Sequence, residues 1–385
     1  MEKKSEDNIL KILSDLVSIS SYGKVGKNHP IIGYLKNSFK NCVEIVELED
    51  SNENVHLLVG VNHELRNIDD CILLSGHIDT VTESEEHTCN ISLVSDMIRG
   101  LGTSDMKSFI ATIISNIDYF RYYDIPIVLS ITSDEETNLK GINDIIKELK
   151  MRNINTSLVL IGEPTNLDYY VSSRGNSIYV DIMNGLACHS GTPELGINAI
   201  ELISEFIIEI KNISKKFEKE ASICITSVKG GKTPSNIVPD ECSVCFGVRT
   251  SDTNVLNTIY NYLENKHREI SNCYGDSKLF NVLDIPPFER RQSLFIEEQS
   301  DKYNKEMIDA KYSTEAGYFQ VAYPNADIVI YGPGNPENIH KAGESININN
   351  LYQYKEELIE MINNYIKYKR EEINHDKQLV YLRKK

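Results

Sequence analysis

His77 and Asp79 stand two apart at the exit of the apolar run "CILLSG", where Gly76 gives the backbone freedom. The arrangement recurs along the chain. "IPIVLSIT" runs into Ser133-Asp134-Glu135-Glu136, "LVLIG" runs into Glu163, and "ADIVIYGPG" leads within a few residues to His340. Asp105 closes "GLGTSD" where a helical pattern begins. Two histidines with several carboxylates form a nitrogen and oxygen donor set, which suits zinc, cobalt or manganese. Five ligands exceed what one catalytic zinc with an open position takes, but they suit two metals sharing a carboxylate. In this scheme Asp79 is an acceptor that orients the His77 ring and raises its basicity.

Taken singly, each piece also has a bland reading. A GHxD after a strand makes a turn, and acidic residues in a helix's first turn complement its dipole. The coincidence of such positions along one chain is what points to a site.

The elements that must position these groups alternate through the first half. Strand-like runs "VHLLVGV", "CILLSG", "IPIVLSIT" and "TSLVLIG" are separated by helical patterns such as "DMKSFIATIISNIDYF" and "GINDIIKELKM". That alternation predicts a largely parallel sheet covered by helices, whose strand ends share one ligand-binding edge. The same style resumes with "ADIVIYG" and the closing helix "NNLYQYKEELIEMINNYIKYK". Between them the order is β-α-β-β-α-β, that of a ferredoxin-like module. The expected division is an α/β domain over residues 1–174 and 287–385, interrupted by an insert over 175–286.

Bulk properties exclude some classes. The formal net charge of −17 argues against nucleic acid, which needs a basic footprint; an acidic surface mostly keeps a protein soluble, and its functional counterpart is steering of cationic small substrates. No apolar run approaches the ~20 residues of a membrane span. "MEKKSEDNILKILSDL" reads as an amphipathic helix with Ile9, Leu10, Leu13, Leu16 and Val17 on one face, not as a signal peptide. Several of the 8 cysteines fall in apolar strands, and Cys242 and Cys245 alternate to opposite faces of "ECSVCFGVR". Reduced, structural cysteines in a cytoplasmic protein are therefore expected. His29, His56, His63, His87, His267 and His375 read as ordinary surface residues.

The motifs "SGHIDTV", "GLGTSDMK", "TSDEET", "IGEPT", "CHSGTPELGINAIE", "GGKTPSNIVPDECSV", "STEAGYFQ" and "GPGNPENIHKAGE" follow in order across nearly the whole chain. Jointly they resemble the co-catalytic zinc amidohydrolases and exopeptidases. That family includes acetylornithine deacetylase, succinyl-diaminopimelate desuccinylase, aminoacylase and glutamate carboxypeptidase. "IGEPT", "TEAGYFQ" and "GPG…HK" are most similar to the acetylornithine deacetylase branch.

The resemblance implies a zinc-exopeptidase-like mixed α/β sheet flanked by helices, interrupted by a ferredoxin-like α+β domain serving as lid and dimerisation surface. It implies a pair of Zn2+ ions, with Co2+ able to substitute. His77, Asp105 and Glu163 would hold one, and His340, Asp105 and Glu136 the other, with Asp105 bridging. Glu135 would be the general base. His189 would stabilise the oxyanion, reaching across from the partner of a homodimer. Asn236, Arg249 and Thr314 would contact substrate, the arginine through its carboxylate; an exposed strand charge is the other reading of Arg249.

The implied reaction is amide hydrolysis of an N-acyl-L-amino acid, N-acetylornithine first. Desuccinylase and dipeptidase activities share the metal site. An inactive small-molecule-binding homologue is the reading from another class, and the retained Glu135 argues against it. Thr82, Ser108 and "HKAGE" depart from the family's usual motifs, which bears on substrate identity.

Overall fold

The computed structural model describes residues 3–83, 89, 91–137, 139–231, 236–271 and 276–383. The chain divides into two compact units. The first comprises Met1–Val171, Arg291–Ile308 and Tyr318–Lys385, and the second Ser172–Arg290 and Asp309–Gly317. The division expected from sequence has no counterpart for the return segment Asp309–Gly317, which carries Thr314.

The first unit is built on a mixed sheet whose centre is four parallel strands. In spatial order they are Ile127–Thr132, Ile72–His77, Leu158–Ile161 and Asp327–Ile330. Strands Val55–Gly60 and Glu44–Glu49 add antiparallel on one side; Tyr169–Ser173 and Met307–Ala310 follow on the other. The first three parallel strands are buried throughout, as expected of strands covered on both faces.

Helix packing follows periodicity. Ile9, Leu13, Leu16 and Val17 of helix Lys3–Ser18 are fully buried. On helix Ile348–Arg383, Leu351, Tyr354, Leu358, Met361, Ile362 and Tyr365 form one apolar stripe in the same core. Lys107, at the start of helix Lys107–Phe120, is wholly buried. Its ammonium donates to the carbonyls of Leu16 at 3.1 Å and Ile19 at 2.9 Å, closing the C-terminal end of the first helix. Burial pushes its pKa down to about 8.

A second, three-stranded sheet joins Ser92–Val94, Met97–Arg99 and Ser345–Asn347. In it Ser345 pairs with Arg99. Among the described residues, no helix is long and apolar enough to cross a membrane.

The second unit has the expected β-α-β-β-α-β order. Its antiparallel sheet runs Ala221–Gly230, Glu241–Thr250, Asn176–Asn184, Lys278–Ile285. Helices Ala199–Lys216 and Thr253–Ser271 pack with Val244, Phe246 and Val248 in one core. Cys242 shares that buried face while Cys245 lies on the other, and the described cysteines are all free thiols.

Two histidines expected at the surface are buried instead. His267 packs inside the second unit, with Nδ1 2.9 Å from Asp181 Oδ2. His56 is fully buried in strand Val55–Gly60. Its apolar flanks "VHLLVGV" were the available signal. His63 is exposed and His29 caps helix Pro30–Ser38. His87 and the His375 side chain lie outside the described residues, as do Lys232 to Ser235 of the "GGKT" stretch.

Candidate metal centre

All four parallel strands point their carboxyl ends the same way, and the predicted ligands follow those ends. His77 is the last residue of its strand and is 1% exposed. The glycine before it is required by close approach, not by an unusual φ. A Cβ at Gly76 would lie 2.6 Å from Met106 Cε and 2.9 Å from the Phe109 ring. A Cβ at Gly162, just before Glu163, would lie 2.0 Å from the same Phe109 ring. Helix Lys107–Phe120 thus seats tightly against two strand ends, with Asp105 on the turn that leads into it.

His77 Nδ1 lies 3.0 Å from the Asp79 carbonyl oxygen, which can only accept, so Nδ1 carries the proton. Nε2 then faces the site, 3.2 Å from Asp105 Oδ1 and 3.8 Å from Glu163 Oε1. His340 Nε2 lies 3.2 Å from Asp105 Oδ2 and 2.9 Å from Glu136 Oε1. Each oxygen of Asp105 therefore serves a different histidine.

The Asp79 carboxylate does something the sequence did not suggest. It stands 3.5 Å from His77 Nδ1, farther than the carbonyl. Its two oxygens instead accept the backbone N–H groups of Glu135 at 3.1 Å and Glu136 at 2.9 Å. The ring is oriented mainly by the Asp79 main chain, and its side chain fixes the Glu135–Glu136 turn.

The electrostatics match a cluster of opposed charges. Burial alone would lower His77, but the bonds to Asp105 and Asp79 and the Glu163 charge raise it well above its ordinary value. The bonds from His340 and His77 hold Asp105 well below the usual carboxylate range against its burial. His340 is raised to about 10 by its bonds to Asp105 and Glu136. Burial, then the Glu163 charge, raises Glu135 well above a normal glutamate.

This donor set fits cations. His77, Asp105 and Glu163 form one group and Asp105, Glu136 and His340 another, each with ligand atoms within 4.8 Å of one another. Glu135 joins His77 and Glu136 in a further group. A group of Asp50, His56 and Asp134 has a different use. Asp134 accepts the N–H groups of Lys140 and Gly141, and His56 Nδ1 accepts that of Ser133 at 3.2 Å. His56 and Asp134 brace the segment that presents Glu135 and Glu136.

In the second unit, His189 is exposed and its Nδ1 accepts the Gly191 N–H at 3.0 Å. It bridges to Ile237, and the neighbouring Ser190 N–H donates to the Asn236 carbonyl at 2.9 Å, so His189 and Asn236 adjoin. Arg249 is apart from them. It lines a cavity of about 140 Å³ with Asn176, Ile178, Ser222, Cys224, Thr226 and Gly247, on the sheet face opposite Val248. Thr314 is 1% exposed, and its hydroxyl accepts the Ala316 N–H at 3.2 Å.

The comparisons with known proteins bear on this geometry. Residues 73–364 match the family described as Peptidase family M20/M25/M40. The chain belongs to that family. It is a metal-dependent hydrolase by that membership. An uncharacterized metallohydrolase of Methanocaldococcus jannaschii is 29% identical over 89% of this chain and 94% of its own. An acetylornithine deacetylase of Aliivibrio salmonicida is 27% identical over 78% of this chain and 82% of its own. In fold, this family member is similar to aminopeptidase PepT of Bacillus cereus, with TM-score 0.73 at 18% identity, covering 93% and 98% of the two chains. It is also similar to a dinuclear metal-binding M20 peptidase of Bacillus subtilis, with TM-score 0.63 at 13% identity, covering 94% and 98%.

Asp134 and Glu344 support the site, although the sequence pattern does not single them out. The Glu344 carboxylate accepts the backbone N–H groups of Gly102, Ser104 and Asp105. Its place at the end of "HKAGE", four residues past His340, was the available signal.

Proposed function

We propose that this chain is a dizinc amidohydrolase that removes the acyl group from an N-acyl-L-amino acid, N-acetylornithine foremost. One observation carries the reading: Asp105 offers one oxygen beside His77 and the other beside His340, with Glu163 and Glu136 completing the two groups. The deacylase branch is supported by the acetylornithine deacetylase relative, which is similar over most of both chains.

When bound there, a pair of divalent cations supplies a water of lowered pKa and polarises the acyl carbonyl. Glu135 takes the proton of the attacking water and returns it to the leaving amine. Asp79 keeps Glu135 and His77 in place. In this reading His189 donates a hydrogen bond to the developing oxyanion from the partner subunit of a homodimer formed through the second unit. Arg249 pairs bidentately with the substrate carboxylate, and Asn236 and Thr314 complete the substrate contacts. Free thiols suit a cytoplasmic enzyme.

The test begins with metal content. Protein purified without chelator should approach a pair of zinc ions per chain at saturation, with Co2+ able to replace them. Release of free amine is then compared for acetylornithine, acetylglutamate, succinyl-diaminopimelate and a dipeptide. The net charge of −17 favours a cationic side chain on the substrate, so acetylornithine should give the highest kcat/KM. A higher value for a dipeptide moves the chain to the peptidase side. Metal-loaded protein that turns over none of them would identify a binding homologue.

A further inference from the structure

The loop that carries Asp105 and the loop that carries His340 are far apart in sequence, yet one side chain holds both. Glu344 is 2% exposed. Its Oε1 accepts the N–H of Ser104 at 2.8 Å and of Asp105 at 3.0 Å, and its Oε2 accepts that of Gly102 at 3.0 Å. The Glu344 carbonyl also accepts the Gly100 N–H at 3.0 Å. Gly102 stands at φ +82°, in the left-handed region that lets neighbouring N–H groups converge on one acceptor. Ser104 Oγ adds a second tie, accepting the Asn335 N–H at 2.6 Å and donating to the Asn335 carbonyl at 3.2 Å.

The two cation positions do not depend on this clamp equally. His77 ends a buried sheet strand, and Glu163 follows another by two residues, so the sheet itself places both. Asp105 is common to both groups, and what sets the other group apart is that His340 too comes from a clamped loop. His340 moreover has φ +56° and a side chain that is 49% exposed, so little packing holds it.

We propose that Glu344 is a positioning residue that keeps the Asp105 and His340 loops in register, and that the Asp105–Glu136–His340 cation position requires it far more than the His77–Asp105–Glu163 position does. The inference rests on the dinuclear reading above. In this proposal Glu344 acts through the main-chain amides of Gly102, Ser104 and Asp105. Outer-shell partners of this kind typically alter metal affinity about 10- to 100-fold.

The experiment titrates Zn2+ into the metal-stripped full-length chain by calorimetry, for the wild type and for Glu344→Gln and Glu344→Ala, with melting curves alongside. Wild type should take up a pair of ions. Glu344→Gln, which keeps shape but turns one acceptor into a donor facing an N–H, should keep one tight ion and bind the other at least about tenfold more weakly. Its kcat should fall with KM nearly unchanged, and Glu344→Asp should recover part of the affinity. Unchanged affinities, or equal weakening of both, would overturn the proposal. A wild-type chain that takes up fewer than a pair of ions would instead sink the dinuclear reading.

A second measurement needs no variant. In metal-free wild type, amide hydrogen exchange across residues 100–105 should be slow, because the clamp exists before any cation arrives. Rapid exchange there would overturn the proposal even if the variants failed to fold.

Discussion

The Asp79 carboxylate accepts the main-chain N–H of Glu136 at 2.9 Å, and with its other oxygen that of Glu135 at 3.1 Å. One strand end thereby fixes the turn that follows the adjacent strand. Asp79→Ala should leave both amides without their buried acceptor and let the turn drift. We expect kcat to fall about 10- to 100-fold, with the fold intact by circular dichroism. Asp79→Asn keeps an acceptor for one amide and should lose less. Equal activity in Asp79→Ala and wild type would show that the turn is held by other means.

Glu135 and Glu136 are adjacent but have different partners. Glu136 faces His340, whereas Glu135 is raised most by burial and by the Glu163 charge. Glu135→Gln should lower kcat about 10²- to 10⁴-fold while metal content stays near wild type. Glu136→Gln should weaken metal uptake. The opposite pattern, read by elemental analysis beside steady-state kinetics, would mean that the two roles are exchanged.

The second unit contains a buried pair unrelated to the metal centre. Asp181 is fully buried with Oδ2 2.9 Å from His267 Nδ1, and its Oδ1 has no hydrogen-bond partner among the described residues. His267→Ala strands the carboxylate and should cost about 3 kcal/mol in denaturant unfolding of this unit. Burial, opposed by the His267 bond, raises the Asp181 carboxyl above its ordinary 3.8. A raised acid favours the protonated folded state, so this contribution is complete below 3.8 and is lost as pH rises through the raised value. The melting advantage of Asp181→Asn over wild type should therefore grow with pH across that window. A pH-independent difference would refute the assignment.

The proposal that His189 acts from the partner subunit of a homodimer is tested by mixing. On that proposal, protein carrying His189→Ala alone or Glu135→Gln alone should be nearly inactive. A mixed dimer would pair an intact Glu135 with a histidine from the other chain, so exchange of subunits should restore activity. Proven exchange without recovery would place the action of His189 within one chain, or remove it from the reaction.

All the candidate ligands but His340 were legible in the sequence because they lie at points where periodicity changes. His77 ends an apolar run, Glu136 and Glu163 follow such runs, and Asp105 precedes a helical one. A parallel sheet brings strand ends to one edge whatever their separation in sequence, so local pattern pointed to one edge, while the division into two ligand sets came from the family resemblance. The ferredoxin-like order of the second unit was legible for the same reason. The burial of His56 was not, since periodicity does not say what a polar residue inside an apolar run will meet.

By itself, the sequence determined the strand and helix pattern, the donor types and the order of motifs that defines the family. Tertiary structure alone decided which carboxylates hold backbone. Asp79, Asp134 and Glu344 are chemically like Asp105 and Glu136, yet their oxygens accept main-chain N–H groups. A carboxylate accepts from either kind of donor. Which donor it meets is set by chain crossings such as Glu344 with Asp105, 239 positions apart, and short-range periodicity carries no record of such a contact.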